Sequence, residues 1–373
     1  MRFIFIVQGE GRGHMTQAIA MYQILTAKGH EVTDIVIGSS DRRKVPHYVS
    51  EQINSKIHAL ASPNFVTDAK GKSINIWKTI LRNALKSNSF VKSMRQLDAL
   101  VQAQKPDVVL NFYDFLGGVW HGLHRPALKF VVVGHQYLIA HPDFPFAKNS
   151  GMGKLLLKLG TAITAWGAHE HIALSFRELP AMEQKPEIKI WPPILREQLT
   201  KLKPSNGDYF LAYLVNPGYG EELLRFAEAH PDIQIQAFWD QKGKPDPWQP
   251  MPNLVFFQLN GDLFLQKMAE CRALVSTAGF EAICEAMYLG KPALMVPVEG
   301  QYEQACNALD GEIAGAGLAG SSFDIQELIV FMNKAGTKKN YEFHLWYSKR
   351  DALVEVWLYE LSQGVSRVKQ LQA

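Results

Sequence analysis

The 373-residue chain is short of cysteine, of net charge and of long apolar runs, and each shortage removes a class of protein. Its three cysteines, Cys271, Cys284 and Cys306, form an odd set without metal-ligand spacing, so reduced thiols are expected, with Cys284 packed in a core. A formal net charge of +3 lacks the basic excess of a nucleic-acid binder. No window approaches the roughly 18 uninterrupted apolar residues of a membrane span. The opening run Met1 to Val7 has neither an h-region nor a small-residue cleavage site, and a cytoplasmic protein is expected. What is present is ordinary for a folded protein, 47% hydrophobic and 20% charged residues. Because single cores stop growing at roughly 250 to 300 residues, two cores are expected.

Arg2 to Val7 reads as a buried strand and Gln8-Gly9-Glu10-Gly11-Arg12-Gly13-His14 as a glycine loop. Met15 to Lys28 reads as a helix, and Val32 to Ile37 as the next strand of a βαβ unit. Asp107 to Phe112, Leu128 to Val133 and His171 to Leu174 are apolar runs without alternation, as strands of a parallel sheet covered on both faces should be. Prolines and polar residues cluster between Trp191 and Gly207, after which the opening pattern returns. Tyr209 to Val215 is a strand, Asn216-Pro217-Gly218-Tyr219-Gly220 a tight loop, Glu221 to His230 a helix and Ile233 to Trp239 a strand. The pattern predicts an α/β protein of two doubly wound, Rossmann-like domains, residues 1–203 and 204–338, with ligands bound outside the carboxyl ends of the strands. A third segment, 339–373, carries Trp346 and Trp357 on an apolar helical stretch that must dock on the rest.

The segment from Ser276 to Pro297 holds a second glycine turn, Thr277-Ala278-Gly279, between a buried strand (Ala273 to Ser276) and a helix from Phe280 to Leu289. The start of such a helix gathers unpaired N–H groups and partial positive charge, which suits a phosphate or diphosphate. Glu285, one and a half turns past Gly279, can face the same cleft and accept hydrogen bonds from sugar hydroxyls.

Gly279, Glu285, Gly290, Pro292 and Pro297, followed by Gly300-Gln301-Tyr302-Glu303-Gln304 and Asn307-Ala308, resemble the donor-binding signature of GT-B glycosyltransferases. The resemblance is to the branch holding the N-acetylglucosaminyltransferase of peptidoglycan synthesis and the UDP-glycosyltransferases, and to an uncharacterised bacterial group with the same Gly-Phe-x-x-Ile-x-Glu-Ala core. It implies two domains facing across a cleft, with the C-terminal helix crossing back to the N-terminal domain. It also implies a nucleotide-sugar donor, UDP-linked by preference, and inverting transfer to a hydroxyl acceptor such as a cell-envelope polysaccharide precursor. Thr277, Ala278, Gly279, Phe280 and Glu281 would hold the diphosphate, Glu285 the ribose, Glu303 and Gln304 the sugar. Gly11, Gly13, Asn216 and Gly218 would close on the donor from other loops, and the backbone near Gln258-Leu259 would read the base. The resemblance further implies departure of the leaving group without a metal, and no Asp-x-Asp stands at a strand end to hold one; neither metal nor cofactor is expected. Two departures stand out: Thr277 where the plant enzymes have histidine, and Gln304 alone where the peptidoglycan enzyme has paired glutamines.

Gly9-x-Gly11-x-Gly13-His14 resembles the branch's first glycine loop, which implies a catalytic role for His14, either as base for the acceptor hydroxyl or in stabilising the transition state. The chemistry suits an imidazole, which titrates near neutrality and is kept neutral by a helix N-terminus. Glu10 is the alternative base. Asp114, at the end of the Asp107 to Phe112 strand, would orient His14 or bind acceptor, or simply cap its loop. His135-Gln136 resembles a stretch near the acceptor site of the peptidoglycan enzyme.

Residues 76–86 and 153–158 each combine apolar and basic positions, which suits peripheral contact with an anionic membrane and a lipid-linked acceptor, as well as ordinary amphipathic helices. Three rivals remain. One is an NAD-dependent dehydrogenase using the glycine loop and Asp41, although the glycine spacing is one residue short of the dinucleotide fingerprint. The others are a nucleotide-sugar 2-epimerase and a non-catalytic nucleotide-sugar binder.

Overall fold

The computed structural model describes residues 1–39, 46–63, 87–148, 151–214, 217–241, 243–335 and 341–372. Asp41, Asn216 and the 76–86 segment lie outside them.

The N-terminal half is built on strands β1 (Arg2–Gln8), β2 (Glu31–Ser39), β3 (Lys56–Ala61), β4 (Val108–Phe112), β5 (Lys129–Gly134), β6 (Glu170–Leu174) and β7 (Ile188–Trp191). They lie in the order β3-β2-β1-β4-β5-β6-β7, all parallel, with Val7 opposite both Ile37 of β2 and Phe112 of β4. The C-terminal half repeats the plan with β8 (Tyr209–Leu214), β9 (Gln234–Trp239), β10 (Trp248–Met251), β11 (Leu254–Gln258), β12 (Ala273–Ser276), β13 (Ala293–Met295) and β14 (Gly317–Ala319). Their order is β10-β11-β9-β8-β12-β13-β14, with β10 antiparallel at its edge. Because β1 and β8 take equivalent places, so do β4 and β12. Helices cover both sheets, and β4 and β12 are buried along their whole length, which is why they read as unbroken apolar runs. The protein is thus an α/β fold of two Rossmann-like halves.

The sequence reading had no strand at β3, β7, β10 or β14. These lie at or next to the sheet edges and are only three to six residues long, too short for a periodic signal. The first helix runs from Arg12 to Ala27, three residues earlier than expected, so that Gly13 is helical and His14 stands in the first turn.

The C-terminal segment forms helices Tyr341–Ser348 and Arg350–Gln372 that lie on the N-terminal half. Trp346 Nε1 donates to the Ser175 carbonyl at 3.0 Å and Trp357 Nε1 to Glu170 Oε2 at 3.0 Å, with the Trp357 ring edge-on to Trp191. The two indoles bury large apolar area while their N–H groups stay paired, which is what a docked aromatic helix requires.

Candidate active site

The opening glycine loop is shaped first by its own neighbours. Gly9 N–H donates to the Gly38 carbonyl at 3.0 Å, and a Cβ on Gly9 would stand 2.3 Å from that oxygen. A Cβ on Gly38 would in turn stand 2.0 Å from Asp114 Oδ2, so both positions admit only glycine. Gly11 caps the first helix without a side-chain hydrogen bond. Gly13 brings that helix against the C-terminal half, where a Cβ would touch the Glu281 Cβ at 3.5 Å.

His14 stacks on Tyr113, ring centroids 5.5 Å apart and planes 20° from parallel. Tyr113 holds φ of +57°, an uncommon conformation for an aromatic residue, at the turn out of β4. Burial lowers the His14 pKa to about 4, with the Gln17 side chain acting in the opposite direction, so the imidazole is neutral at physiological pH. Its Nδ1 is buried without a hydrogen-bond partner, and its Nε2 lies 3.3 Å from Gln136 Nε2.

Asp114 is the N-cap of the Phe115–His124 helix. Its Oδ1 accepts from the Leu116 and Gly117 amides (2.8 and 3.3 Å) and from Ser62 Oγ at 3.1 Å. Burial pushes its pKa up to about 6 against those hydrogen bonds. No hydrogen bond joins it to His14; what it fixes is the turn that carries Tyr113.

Across the cleft, Gly279 is the N-cap of the Phe280–Tyr288 helix, makes no side-chain cap, and has no atom within 4 Å of where a Cβ would sit. Beside this turn Ser276 Oγ, Thr277 Oγ1, Glu281 Oε1 and Asn307 Oδ1 are buried without partners, as are Gln17 Oε1 and Gln136 Oε1 on the opposite wall. Native interiors seldom leave so many polar atoms unpaired in one place, and each calls for a water or ligand partner that the chain itself does not supply. Burial and the nearby Glu285 charge raise the Glu281 pKa well above the carboxylate range, and burial pushes Glu303 up to about 7 against hydrogen bonds from Gln136 and Asn307.

Four polar contacts tie the halves together here. Gln17 Nε2 donates to Glu281 Oε2 (3.2 Å) and Gln136 Nε2 to Glu303 Oε1 (2.8 Å). Arg177 Nε reaches Asp310 Oδ1 (3.3 Å), and Arg196 clasps Glu285 Oε1 through Nη2 (2.6 Å) and Nε (3.2 Å), both side chains buried. His135 is a wall rather than a free group: its Nδ1 meets the Leu174 carbonyl at 2.7 Å and its ring stacks on Phe280 at 4.3 Å. Among the described residues no group of three or more His, Cys, Asp or Glu side chains is placed to share a metal ion.

The family model described as glycosyl transferase family 1 matches residues 1–335. The chain belongs to that family. An uncharacterised glycosyltransferase of Methanosarcina acetivorans is 25% identical over 342 residues, 85% of each chain, and one of Methanosarcina mazei is 24% identical over 342 residues, again 85% of each. Among solved structures, the kitacinnamycin glycotransferase superposes with TM-score 0.64 at 14% identity, covering 95% of this chain and 98% of the other. The spinosyn rhamnosyltransferase SpnG, solved with thymidine diphosphate, gives 0.57 at 15%, covering 96% and 100%. These superpositions match the GT-B arrangement of two Rossmann-like domains.

In this family 1 glycosyltransferase the fold brings Gly13, His14, Gln136, Phe280, Glu281 and Glu303 together where the two halves meet, with Thr277, Ala278 and Gly279 in the turn that leads into Phe280. Gln304 turns away to accept from the Val298 amide with Oε1 at 2.8 Å, and Gly218 is exposed in its loop. At the expected base-reading loop, the Gln258 amide is already taken by Asp246 Oδ1 at 3.0 Å. Gln17 and Arg196 were not foreseen. Gln17 is a lone polar residue before the apolar run Ala18 to Met21, and Arg196 lies beside Ile194 and Leu195, which are buried although the segment reads as a linker. Those two patterns were the available signals.

Proposed function

We propose that this glycosyltransferase moves a sugar from a nucleoside-diphosphate donor, UDP-linked by preference, to a hydroxyl acceptor with inversion and without a resident metal. The observation that carries the reading is the Phe280–Tyr288 helix start, which its N-cap residue Gly279 leaves without side-chain cover, on a helix whose Glu281 meets Gly13, the neighbour of a neutral His14. Amides of Phe280, Glu281 and the following residue would receive the diphosphate, with Thr277 Oγ1 beside them, and the helix dipole would offset charge on the departing group. Glu285, oriented by Arg196, would take the ribose, and Glu303 the sugar hydroxyls. His14 would accept the acceptor's proton, with Asp114 supporting it indirectly through the Tyr113 turn. His135 and Gln136 would border the acceptor. The binding of thymidine diphosphate by SpnG favours a nucleoside diphosphate here and makes the base an open choice in the test.

Calorimetry with UDP, TDP, GDP and NADH, followed by transfer assays with the matching sugars in EDTA, tests the reading. His14→Ala should cut turnover by about 10³-fold or more while nucleotide affinity changes less than about threefold. Binding of NADH alone, or full activity of the variant, would overturn it; nucleotide binding with no transfer to any acceptor would favour the non-catalytic binder.

The acceptor side includes an apolar face on the Gly151–Thr164 helix, where Met152, Leu155, Leu159 and Ile163 are exposed in one stripe, continued by Trp166. Lys154 and Lys158 flank it, both against the Phe146 ring. Apolar residues bordered by cations suit the surface of an anionic bilayer, where a lipid-linked acceptor would be met. Leu155→Ser with Leu159→Ser should lower binding to phosphatidylglycerol vesicles about tenfold in flotation; equal flotation of variant and wild type removes this element.

A further inference from the structure

We infer that Gln136 and Glu303 are positioning residues for His14: the Glu303 carboxylate of the C-terminal half, acting through the Gln136 amide, holds the imidazole in the tautomer whose Nε2 is unprotonated. This rests on the proposed role of His14 as base but concerns how the ring is set, which can be read separately from transfer.

The argument starts from donor and acceptor chemistry. Gln136 follows β5, and its Nε2 faces two atoms, Glu303 Oε1 at 2.8 Å and His14 Nε2 at 3.3 Å. As a carboxylate, the form that the Gln136 hydrogen bond favours and that prevails above about pH 7, Glu303 only accepts, so the amide group turned toward it is the NH2, which has two hydrogens to give. With one given to Glu303, the other points at His14 Nε2, which must then be the unprotonated ring nitrogen, leaving the ring proton on Nδ1. Nothing else in the structure favours the reversed amide, since Gln136 Oε1 has no partner and would then face the carboxylate. Gly134 makes room for the Gln136 side chain, because a Cβ there would lie 2.7 Å from Gln136 Oε1.

The other edge of the ring is consistent with the same tautomer. Gln17, one turn along the helix from His14, gives its NH2 to Glu281 and keeps its Oε1 unpaired, an acceptor suited to Nδ1–H. Tyr113 fixes the ring plane by stacking. Each glutamine flanking the imidazole is therefore held by a glutamate from the opposite half. In an open arrangement both glutamines would lose those partners, so closure of the halves over the donor would also select the tautomer with a bare Nε2, and the acceptor hydroxyl would replace the Gln136 N–H at that nitrogen before giving up its proton.

Long-range ¹⁵N–¹H spectra of the full chain with labelled histidine, the His14 signals assigned from a His14→Gln sample, read the tautomer directly. The wild type should show His14 protonated on Nδ1 and bare on Nε2. In Gln136→Leu, and in the near-isosteric Glu303→Gln should the first variant fold poorly, the Nε2 signal should move toward the protonated form. Transfer should then show kcat lowered about tenfold with the donor KM within about threefold. A wild-type His14 protonated on Nε2, or ring nitrogens unmoved in both variants, overturns the inference. If the nitrogens move as expected but His14→Ala is fully active, the base assignment fails and the positioning stands.

Discussion

Two turns at equivalent places in the two sheets, one leaving β4 and one leaving β12, begin their helices in opposite ways. After β4 the N-cap is Asp114, whose carboxylate satisfies the first amides of its helix from within the chain. After β12 the N-cap is Gly279, with no side chain and open space where one would be. A helix start is an anion site in either case, and in the N-terminal half the protein's own carboxylate already fills it. The difference of one side chain separates a structural joint from a place where a substrate's charge can be received. On the proposed reading, it is also what would give the same Rossmann-like plan, used twice, one half for the donor and one for the base and acceptor.

The comparison breaks most visibly by making the turns alike. Gly279→Asp would supply the missing cap and should weaken nucleoside-diphosphate binding on the order of 100-fold, about 2.7 kcal/mol, with the melting temperature unchanged or slightly higher. Calorimetry alongside a thermal scan measures both, and unchanged affinity would mean the diphosphate sits elsewhere. The reciprocal change is smaller and of another kind. Asp114→Ala should cost about 0.5–2 kcal/mol of stability while nucleotide affinity stays within about twofold. Asp114→Asn, which can still cap, sharpens the contrast through pH. Because the folded-state pKa of Asp114 is raised to about 6, ionising it opposes folding. The wild type should therefore lose stability relative to the Asn variant as pH rises from about 4 to about 6, by a few degrees of melting temperature, with no further change above.

Much of this was legible from residue order alone. The buried central strands announced themselves as apolar runs, the Ser276 to Pro297 segment held enough fixed points to place a strand, turn and helix, and Gly279 read correctly as the start of that helix. What remained hidden depends on long-range packing. Gly9 opens the glycine loop whose next two glycines are expected against the donor, yet the atom it makes room for is the Gly38 carbonyl. The Trp191 to Gly207 stretch looked like a plain connector because its prolines and polar residues are local facts, whereas the burial of Arg196 depends on a glutamate 89 residues away. Gln17 and Gln136 gained their interest only when the halves were brought together, since no spacing along the chain links either one to its glutamate.

That connector sets a condition on anyone recombining this enzyme. Exchanging C-terminal halves among relatives is an obvious route to new donor preferences, and the proline-rich stretch is the natural cutting point. A splice downstream of Arg196 leaves its guanidinium in one parent and Glu285 in the other, and a graft without the acid would strand a buried cation at a cost of about 3–5 kcal/mol. Chimeras should be joined upstream of Ile194, so that the arginine travels with the glutamate it serves.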